Sequence, residues 1–149
     1  MTKFFIRPFR VDDRSQWDSL YQGYAEFYKV TQTTEMRDTV WSWLLDETQE
    51  SRGLLAVDED GGVIGLTHFR PFARPLSATT GCFLDDLFVS SSARGLGVAD
   101  ALIAAVREIA AKNGWSVVRW ITAENNYRGR GVYDRVASKT TWVTYDIKL

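Results

Sequence analysis

Apolar residues recur along the chain at two spacings, one typical of helices and one typical of strands. Near the N-terminus they fall every third or fourth position, as on one face of a helix, at Trp17, Leu20, Tyr21, Tyr24, Phe27 and Tyr28. Helical spacing returns in residues 36–44 and 98–112, and a fourth helix is predicted for residues 127–136. Asn125 or Asn126 is a suitable cap for the first turn of that fourth helix.

Short apolar runs bounded by turn residues predict the strands. They cover residues 3–9, 53–57, 63–69, 82–89, 116–122 and 142–148. The sequence DEDGG between the second and third runs is typical of a hairpin turn. Residues 70–81 contain two prolines and are predicted to form a loop.

The order of these elements predicts a mixed α/β fold, with a central sheet covered by helices on both faces, in one domain over residues 1–149. The run at 82–89, the helix that follows and the run at 116–122 form a strand–helix–strand unit. We expect these two strands to be parallel, with a right-handed crossover.

Composition and charge exclude several classes of function. The formal net charge of −1 gives no overall attraction to nucleic acid or to a membrane surface. The single cysteine, Cys82, excludes a disulfide within the chain, and no residues have the spacing of a zinc site. No run approaches the roughly 18 apolar residues of a membrane span. We therefore expect a cytoplasmic protein without a metal, nucleic-acid or membrane partner.

The stretch SSARGLGVAD places two glycines where the third predicted helix begins. A helix start carries unpaired N–H groups and partial positive charge, so Gly95 and Gly97 make this turn a candidate phosphate site. A Walker loop is excluded because Val98 and Ala99 replace its Lys-Ser/Thr pair. A dinucleotide fingerprint would need a third glycine at Asp100. A tightly packed helix entry without a ligand is the alternative.

Two motifs resemble the GNAT superfamily of N-acetyltransferases. Arg94-x-x-Gly97-x-Ala99, after LDDLFVSSS, is similar to the pyrophosphate loop of that family, whose pattern is Arg/Gln-x-x-Gly-x-Gly/Ala. ENNYRGRGVYDRVA resembles its Asn-x-x-Ala-x-x-x-Tyr segment, with Asn126, Gly129 and Tyr133 at the matching positions. The order of elements matches the family over the whole chain. A finer similarity points to polyamine and histone-type acetyltransferases.

The resemblance implies acetyl-CoA as cofactor, bound in a gap between two splayed strands. The residues expected to hold it are Leu87, Phe88, Val89, Arg94, Gly95, Leu96, Gly97, Val98, Ala99, Asp100, Asn126 and Gly129. The family's usual Leu-Gly-Phe after the tyrosine helix is absent here. A homodimer, common in the family, is expected, although that departure leaves its contact through the last hairpin open.

Acetyl transfer needs a neutral amine, an acid for the leaving thiolate and a donor to the developing oxyanion. A lysine-like amine has a pKa near 10.4, so the free base costs about 4.6 kcal/mol at pH 7. Asp85 matches the family position implicated as base or water anchor, Tyr133 is the expected acid, and a backbone N–H near Val89 is the expected oxyanion donor. Strand alternation predicts that Asp85 and Asp86 lie on opposite faces. A salt bridge to an arginine is the alternative role for each.

The acceptor is expected to be a small amine, polyamine or amino acid, because aromatic and acidic residues suit a cation. The candidate residues are Tyr24, Glu26, Tyr28, Trp41 and Asp86. A protein lysine is an alternative acceptor, and a non-catalytic module that binds acyl-CoA is an alternative function. A thiol enzyme using Cys82 with His68, the only histidine, is a rival hypothesis.

Overall fold

The structure is a computed structural model that describes residues 3–149. Its helices and strands are β1 (Phe4–Pro8), α1 (Arg14–Phe27), α2 (Thr34–Leu45), β2 (Arg52–Asp58), β3 (Val63–Arg74), β4 (Thr79–Val89), α3 (Val98–Lys112), β5 (Val118–Arg119) and α4 (Tyr127–Val136). The sheet has the order β1-β2-β3-β4-β5, with β5 parallel to β4 and the other pairs antiparallel. The predicted mixed α/β fold is confirmed.

Helices cover both faces of the sheet because the side chains of the strands alternate between two cores. On β2, Leu54 and Ala56 belong to the core beneath α3, whereas Leu55 and Val57 belong to the core that contains Trp17 of α1 and Trp41 of α2. Among residues 3–149, no helix combines the length and the apolar character needed to cross a membrane.

Gly65 on β3 allows α3 to lie close to the sheet. A Cβ atom at this position would lie 2.9 Å from Val98 Cγ1 and 3.2 Å from Leu102 Cδ1. The first turn of α3 is thereby fixed against β3, just beyond the end of β4. This packing determines where the N-terminus of α3 points.

Strands β4 and β5 pair only at Cys82–Val118 and Phe83–Arg119. The parallel pairing is as expected, but β5 is two residues long rather than the seven predicted for residues 116–122. Beyond Phe83, β4 continues to Val89 with β3 on one side and no strand on the other among residues 3–149. The last residues of β4 therefore present a free backbone edge.

The predicted loop at residues 70–81 is wrong. Strand β3 continues to Arg74 and β4 begins at Thr79, so most of this segment is a hairpin. Pro71 is tolerated opposite Cys82 because the Cys82 N–H donates to Val117 O at 2.8 Å, on the β5 side. Pro71 and Cys82 are therefore a non-hydrogen-bonded pair of the antiparallel ladder, so the missing N–H of Pro71 removes no hydrogen bond to β4.

The predicted strand at residues 142–148 is also wrong, because residues after Val136 belong to no helix or strand. Trp142, Tyr145 and Ile147 are 85%, 91% and 89% exposed. Alternating apolar residues form a strand only beside a sheet edge that accepts their hydrogen bonds, and none lies along this segment.

Candidate functional site

A cleft of about 260 Å³ lies between the end of β4, the start of α3 and α4. The end of α1 closes one side. The cleft is lined by Phe27, Tyr28, Leu87, Phe88, Val89, Ala93, Arg94, Gly95, Gly97, Val98, Ala99, Asp100, Asn126, Arg128, Gly129, Val132, Tyr133 and Arg135. It brings together every residue expected to hold the cofactor except Leu96, together with the expected acid, Tyr133.

The glycine turn has a backbone shape that other residues rarely adopt. Gly95 and Gly97 have φ angles of +81° and +80°, in the left-handed region. A Cβ atom at either position would meet nothing within 4 Å, so the space in front of the turn is open. Gly97 caps α3 without a side chain, and the first N–H groups of this 15-residue helix receive no side-chain cap. They are available to an anion in the cleft.

Arginine side chains add positive charge to the same cleft. The guanidinium of Arg94 lies 5.6 Å from the Phe27 ring centroid and 5.9 Å from that of Phe88. Among residues 3–149, no carboxylate forms a salt bridge with Arg94. Its charge and the N-terminus of α3 therefore both favour binding of an anion.

Two further arginines were not predicted from the sequence. Arg128 and Arg135 on α4 line the cleft, and Arg135 forms a salt bridge of 3.6 Å with Asp100. Their separation of seven residues, with Val132 between them, is the spacing of one helix face. That spacing could have identified them, had the face of α4 turned towards the cleft been known.

Asn126 fixes the start of α4 and explains Gly129. Its Oδ1 accepts from Gly129 N at 3.3 Å, and its Nδ2 donates to Thr122 Oγ1 at 2.9 Å and Tyr28 Oη at 3.4 Å. A Cβ atom on residue 129 would lie only 2.5 Å from Asn126 Nδ2. Gly129, where the family pattern has alanine, therefore makes room for the asparagine amide.

Tyr133 places a neutral hydroxyl in the cleft. Burial raises the pKa of Tyr133 to about 12. No hydrogen bond engages its hydroxyl among residues 3–149, while its ring packs on Trp120. The hydroxyl is thus protonated at neutral pH and available as a donor.

The two carboxylates of β4 lie on one face of the sheet, so the prediction of opposite faces is wrong. A β-bulge pairs His68 with Asp86 and Phe69 with Leu84, leaving Asp85 as the extra residue. Asp85 forms a hydrogen bond with Arg70, and Asp86 forms one with His68. His68 and Arg70 are alternate residues of β3, so their side chains lie on the same face of the sheet. The side chains of β4 do not alternate between the two faces at this point, because the bulge adds one residue to the strand.

The environments of the two carboxylates differ. The side chain of Asp85 is 33% exposed, and Arg70 Nε donates to its two oxygens at 3.1 and 3.2 Å. Burial raises the pKa of Asp85 above its usual value, although Arg70 opposes this effect. Asp86 is mostly buried and accepts from His68 Nδ1 at 2.7 Å and Tyr21 Oη at 3.0 Å. Neither carboxylate lines the cleft itself.

The residues expected to bind the acceptor are dispersed. Tyr28 lines the cleft, and Tyr24 packs against it with ring centroids 4.9 Å apart. Glu26 is exposed and does not line the cleft. Trp41 is buried, 4.9 Å from Trp17 and 5.7 Å from Phe9 between ring centroids, because its helix packs on β2. It lies in the core.

The structure separates the two residues of the rival thiol hypothesis. Cys82 is fully buried beneath α3, whereas His68 contacts Trp17 and Tyr21 on the opposite face of the sheet. Burial also raises the pKa of the Cys82 thiol to about 11. His68 therefore cannot activate Cys82.

Comparisons with known proteins agree with the resemblance drawn from the motifs. Residues 17–137 match the acetyltransferase (GNAT) family. The chain is 30% identical over 144 residues to the D-amino-acid N-acetyltransferase HPA3 of Saccharomyces cerevisiae. The alignment covers 96% of this chain and 89% of that protein.

Solved structures share the fold. The ribosomal-protein-alanine N-acetyltransferase of Brucella melitensis biovar Abortus 2308 superposes with a TM-score of 0.82, at 24% identity over 99% of both chains. The aminoglycoside N-acetyltransferase AAC(6')-Iy in complex with CoA has a TM-score of 0.83, at 20% identity over 99% of this chain and 96% of that one. GNAT acetyltransferases use acetyl-CoA. Because the family match spans most of its residues, this chain belongs to the GNAT family of acetyltransferases.

Proposed function

We propose that this protein transfers an acetyl group directly from acetyl-CoA to the primary amine of a small molecule. One observation carries the proposal. The uncapped N-terminus of α3, with its two left-handed glycines, opens into the same cleft as the Tyr133 hydroxyl. A module that only bound acyl-CoA would need the first feature but not a protonated donor beside it.

The cleft fits the cofactor in two respects. Backbone N–H groups at residues 96–100, with Arg94, suit a pyrophosphate. The free edge of β4 at residues 87–89 suits the amide groups of a pantetheine arm, which could pair with it as an added strand. Asn126 and Gly129 line the other side. When bound, acetyl-CoA supplies the acetyl group as a reactive thioester.

Three groups of this chain have roles in the proposed reaction. Asp85 accepts, through water, the proton that the acceptor's ammonium group must lose, and its raised pKa suits it to that task. Tyr133 donates a proton to the leaving sulfur, and it regains one when the nitrogen loses its second proton as the C–N bond forms. The N–H near Val89 stabilises the negative charge that develops on the acetyl oxygen. The new bond is C–N, and the bond that breaks is C–S.

The acceptor class is proposed from the charge of the site and from a relative. Asp86 lies among Tyr21, Tyr24 and Phe88, a setting that suits a cationic amine. The relative that is 30% identical is named for acetylation of D-amino acids. Amino acids are therefore the first acceptors to test and polyamines the second, with a protein lysine as the alternative.

The decisive experiment measures acetyl-CoA binding by calorimetry with wild type and Gly97→Glu. The added carboxylate faces the open space in front of the helix and should abolish binding. Gly114→Glu is the matched control, since its φ angle of +69° and open surroundings impose a similar backbone strain away from the cleft. Absence of binding to wild type, or equal loss in both variants, would contradict the proposal.

A panel of amines, scored by release of CoA, then tests transfer. D- and L-amino acids, spermidine and a lysine-containing peptide represent the three acceptor classes. Turnover with a free amine supports the proposal, and turnover only with the peptide supports the alternative. Binding of acetyl-CoA without turnover of any amine would favour the non-catalytic module.

We also propose a homodimer, formed through the C-terminal segment 138–149. This segment exposes Trp142, Tyr145 and Ile147, and β5 is an edge strand with Ile121 exposed just after it. Pairing of the segment with β5 of a second copy would bury these apolar side chains and provide hydrogen-bond partners for the edge strand. Each segment has two aromatic residues, Trp142 and Tyr145. The four in a dimer would bury about 600–1,000 Å², a large part of a standard interface of about 1,600 Å².

The dimer is tested by light scattering and by cross-linking. The full chain should have twice the mass of one subunit, and a chain ending at Ala137 should be monomeric. Mixed Ile121→Cys and Tyr145→Cys proteins, each carrying Cys82→Ala, should form a disulfide between chains under oxidation. A monomeric full chain, or no disulfide between the mixed chains, would refute the pairing of the segment with a second copy.

A further inference from the structure

His68 is held between an indole and a carboxylate in the core beneath α1. Trp17 Nε1 lies 3.0 Å from His68 Nε2, and His68 Nδ1 lies 2.7 Å from Asp86 Oδ2. Trp17 is completely buried and His68 is 4% exposed. Neither Trp17 nor His68 lines the cleft.

The indole determines which nitrogen of His68 carries the proton. An indole N–H is only a donor, so His68 Nε2 must be the unprotonated acceptor. The single ring proton then lies on Nδ1, where it is donated to Asp86. His68 is therefore neutral, and it orients the carboxylate without cancelling its charge.

Asp86 consequently keeps a negative charge that only neutral donors stabilise. Its carboxylate accepts hydrogen bonds from His68 Nδ1 and from the Tyr21 hydroxyl. Among residues 3–149, no lysine or arginine forms a salt bridge with Asp86. Burial raises the pKa of Asp86, and the hydrogen bonds that its carboxylate accepts from His68 and Tyr21 oppose that effect. A buried carboxylate without a cationic partner is costly unless a ligand provides one.

A series of aromatic rings connects Asp86 with the cleft. The Tyr21 ring stacks on Tyr24 at 5.9 Å, and Tyr24 packs edge to face on Phe88 at 5.6 Å and on Tyr28 at 4.9 Å. Phe88 and Tyr28 line the cleft. Negative charge beside aromatic faces is an arrangement that binds ammonium groups.

We propose that Trp17 and His68 are positioning residues that keep Asp86 charged and directed at the ammonium group of the acceptor. The inference rests on the proposed function, since it assigns the recognition of the amine at that site. Asp86 provides the charge, His68 fixes its direction, and Trp17 fixes the tautomer of His68.

The tautomer can be measured without any enzymatic activity. Because the chain has one histidine, the nitrogen-15 NMR signals of its ring are unambiguous. Wild type should show a protonated Nδ1 and an unprotonated Nε2. Trp17→Phe should remove the donor to Nε2 and produce a population with Nε2 protonated. An Nε2-protonated ring in wild type, or no change in Trp17→Phe, would overturn the role of Trp17.

Kinetics with the best amine of the panel test the role of the carboxylate. Asp86→Asn should raise KM for the amine at least 10-fold, while the Kd for acetyl-CoA stays within 2-fold. His68→Leu should reproduce much of this effect. His68→Asn retains an N–H donor near the position of Nδ1 and should restore most of the affinity for the amine.

A merely structural role for His68 predicts a different pattern. Both His68 variants would then lower the melting temperature and kcat together, without a selective change in KM for the amine. That result would overturn the proposal. If wild type binds acetyl-CoA but acetylates no amine, the proposed function fails, whereas the tautomer measurement still decides whether Trp17 and His68 orient Asp86.

Discussion

The ring of Tyr133 packs edge to face against Trp120, with ring centroids 5.5 Å apart. This contact uses the ring and leaves the hydroxyl in the cleft. Tyr133→Phe should therefore preserve packing and acetyl-CoA affinity but lower kcat by about 100-fold, the usual contribution of a general acid. Steady-state kinetics and calorimetry measure the two effects. A variant with unchanged kcat would remove Tyr133 from the mechanism.

Asp85→Asn should lower kcat by about 100-fold, because an amide cannot accept the proton of the acceptor. In wild type, activity should fall as the pH decreases through the pKa of Asp85, which burial raises above its usual value. Arg70→Gln removes a charge that lowers this pKa, so its acidic limb should move to higher pH. An unchanged pH profile in Arg70→Gln would indicate that another group takes the proton.

Arg94→Met should weaken acetyl-CoA binding by roughly 10–100-fold, the usual effect of losing a charged hydrogen bond. The affinity of wild type should also decrease more steeply with salt than that of the variant. Arg52→Met is the matched control, since Arg52 stacks on Trp115 at 5.3 Å outside the cleft. Equal losses in the two variants would show that Arg94 acts through folding.

Arg7 and Asp13 form a bidentate salt bridge, which should make the free energy of unfolding depend on pH. Both carboxylate oxygens of Asp13 accept from Arg7 at 2.7 Å, and the Asp13 side chain is 5% exposed. The hydrogen bonds from Arg7 lower the pKa of Asp13 below 3.8. Its contribution to stability is therefore complete above about pH 4 and is lost as the pH falls through the lowered pKa.

Asp13→Asn should accordingly reduce the free energy of unfolding by about 3 kcal/mol at pH 7. The difference from wild type should shrink below pH 4. Urea denaturation at several pH values measures both quantities, with Asp12→Asn, at an exposed neighbouring position, as the control. A difference that stays constant down to pH 2 would contradict the assignment.

Cys82 should react slowly with iodoacetamide in the folded protein, because it is fully buried and its pKa is raised to about 11. Cys82→Ala should retain kcat for the best amine within about 3-fold, with a modest loss of stability from the smaller side chain. A complete loss of turnover in a folded variant would revive the thiol hypothesis. Mass spectrometry and the amine assay provide the measurements.

The sequence by itself determined the elements whose structure depends on neighbouring residues. Helices α3 and α4 begin and end at the predicted residues 98–112 and 127–136, because their periodicity, caps and stops are local. The glycine turn was also predicted, because Gly95 and Gly97 stand without side chains directly before a helix; the structure adds that both lie in the left-handed region. The turn predicted a phosphate site, and together with the Asn126–Tyr133 segment and the order of the elements it carried the resemblance to the family.

Only the tertiary structure decided the arrangements that depend on pairing between distant segments. The bulge that places Asp85 and Asp86 on one face arises from the register of β4 against β3. The contact of Trp17 with His68 joins residues 51 positions apart, and no local rule fixes it. The pattern at residues 142–148 does predict a strand, but a strand exists only where a sheet edge receives its hydrogen bonds, and that depends on what lies beside it.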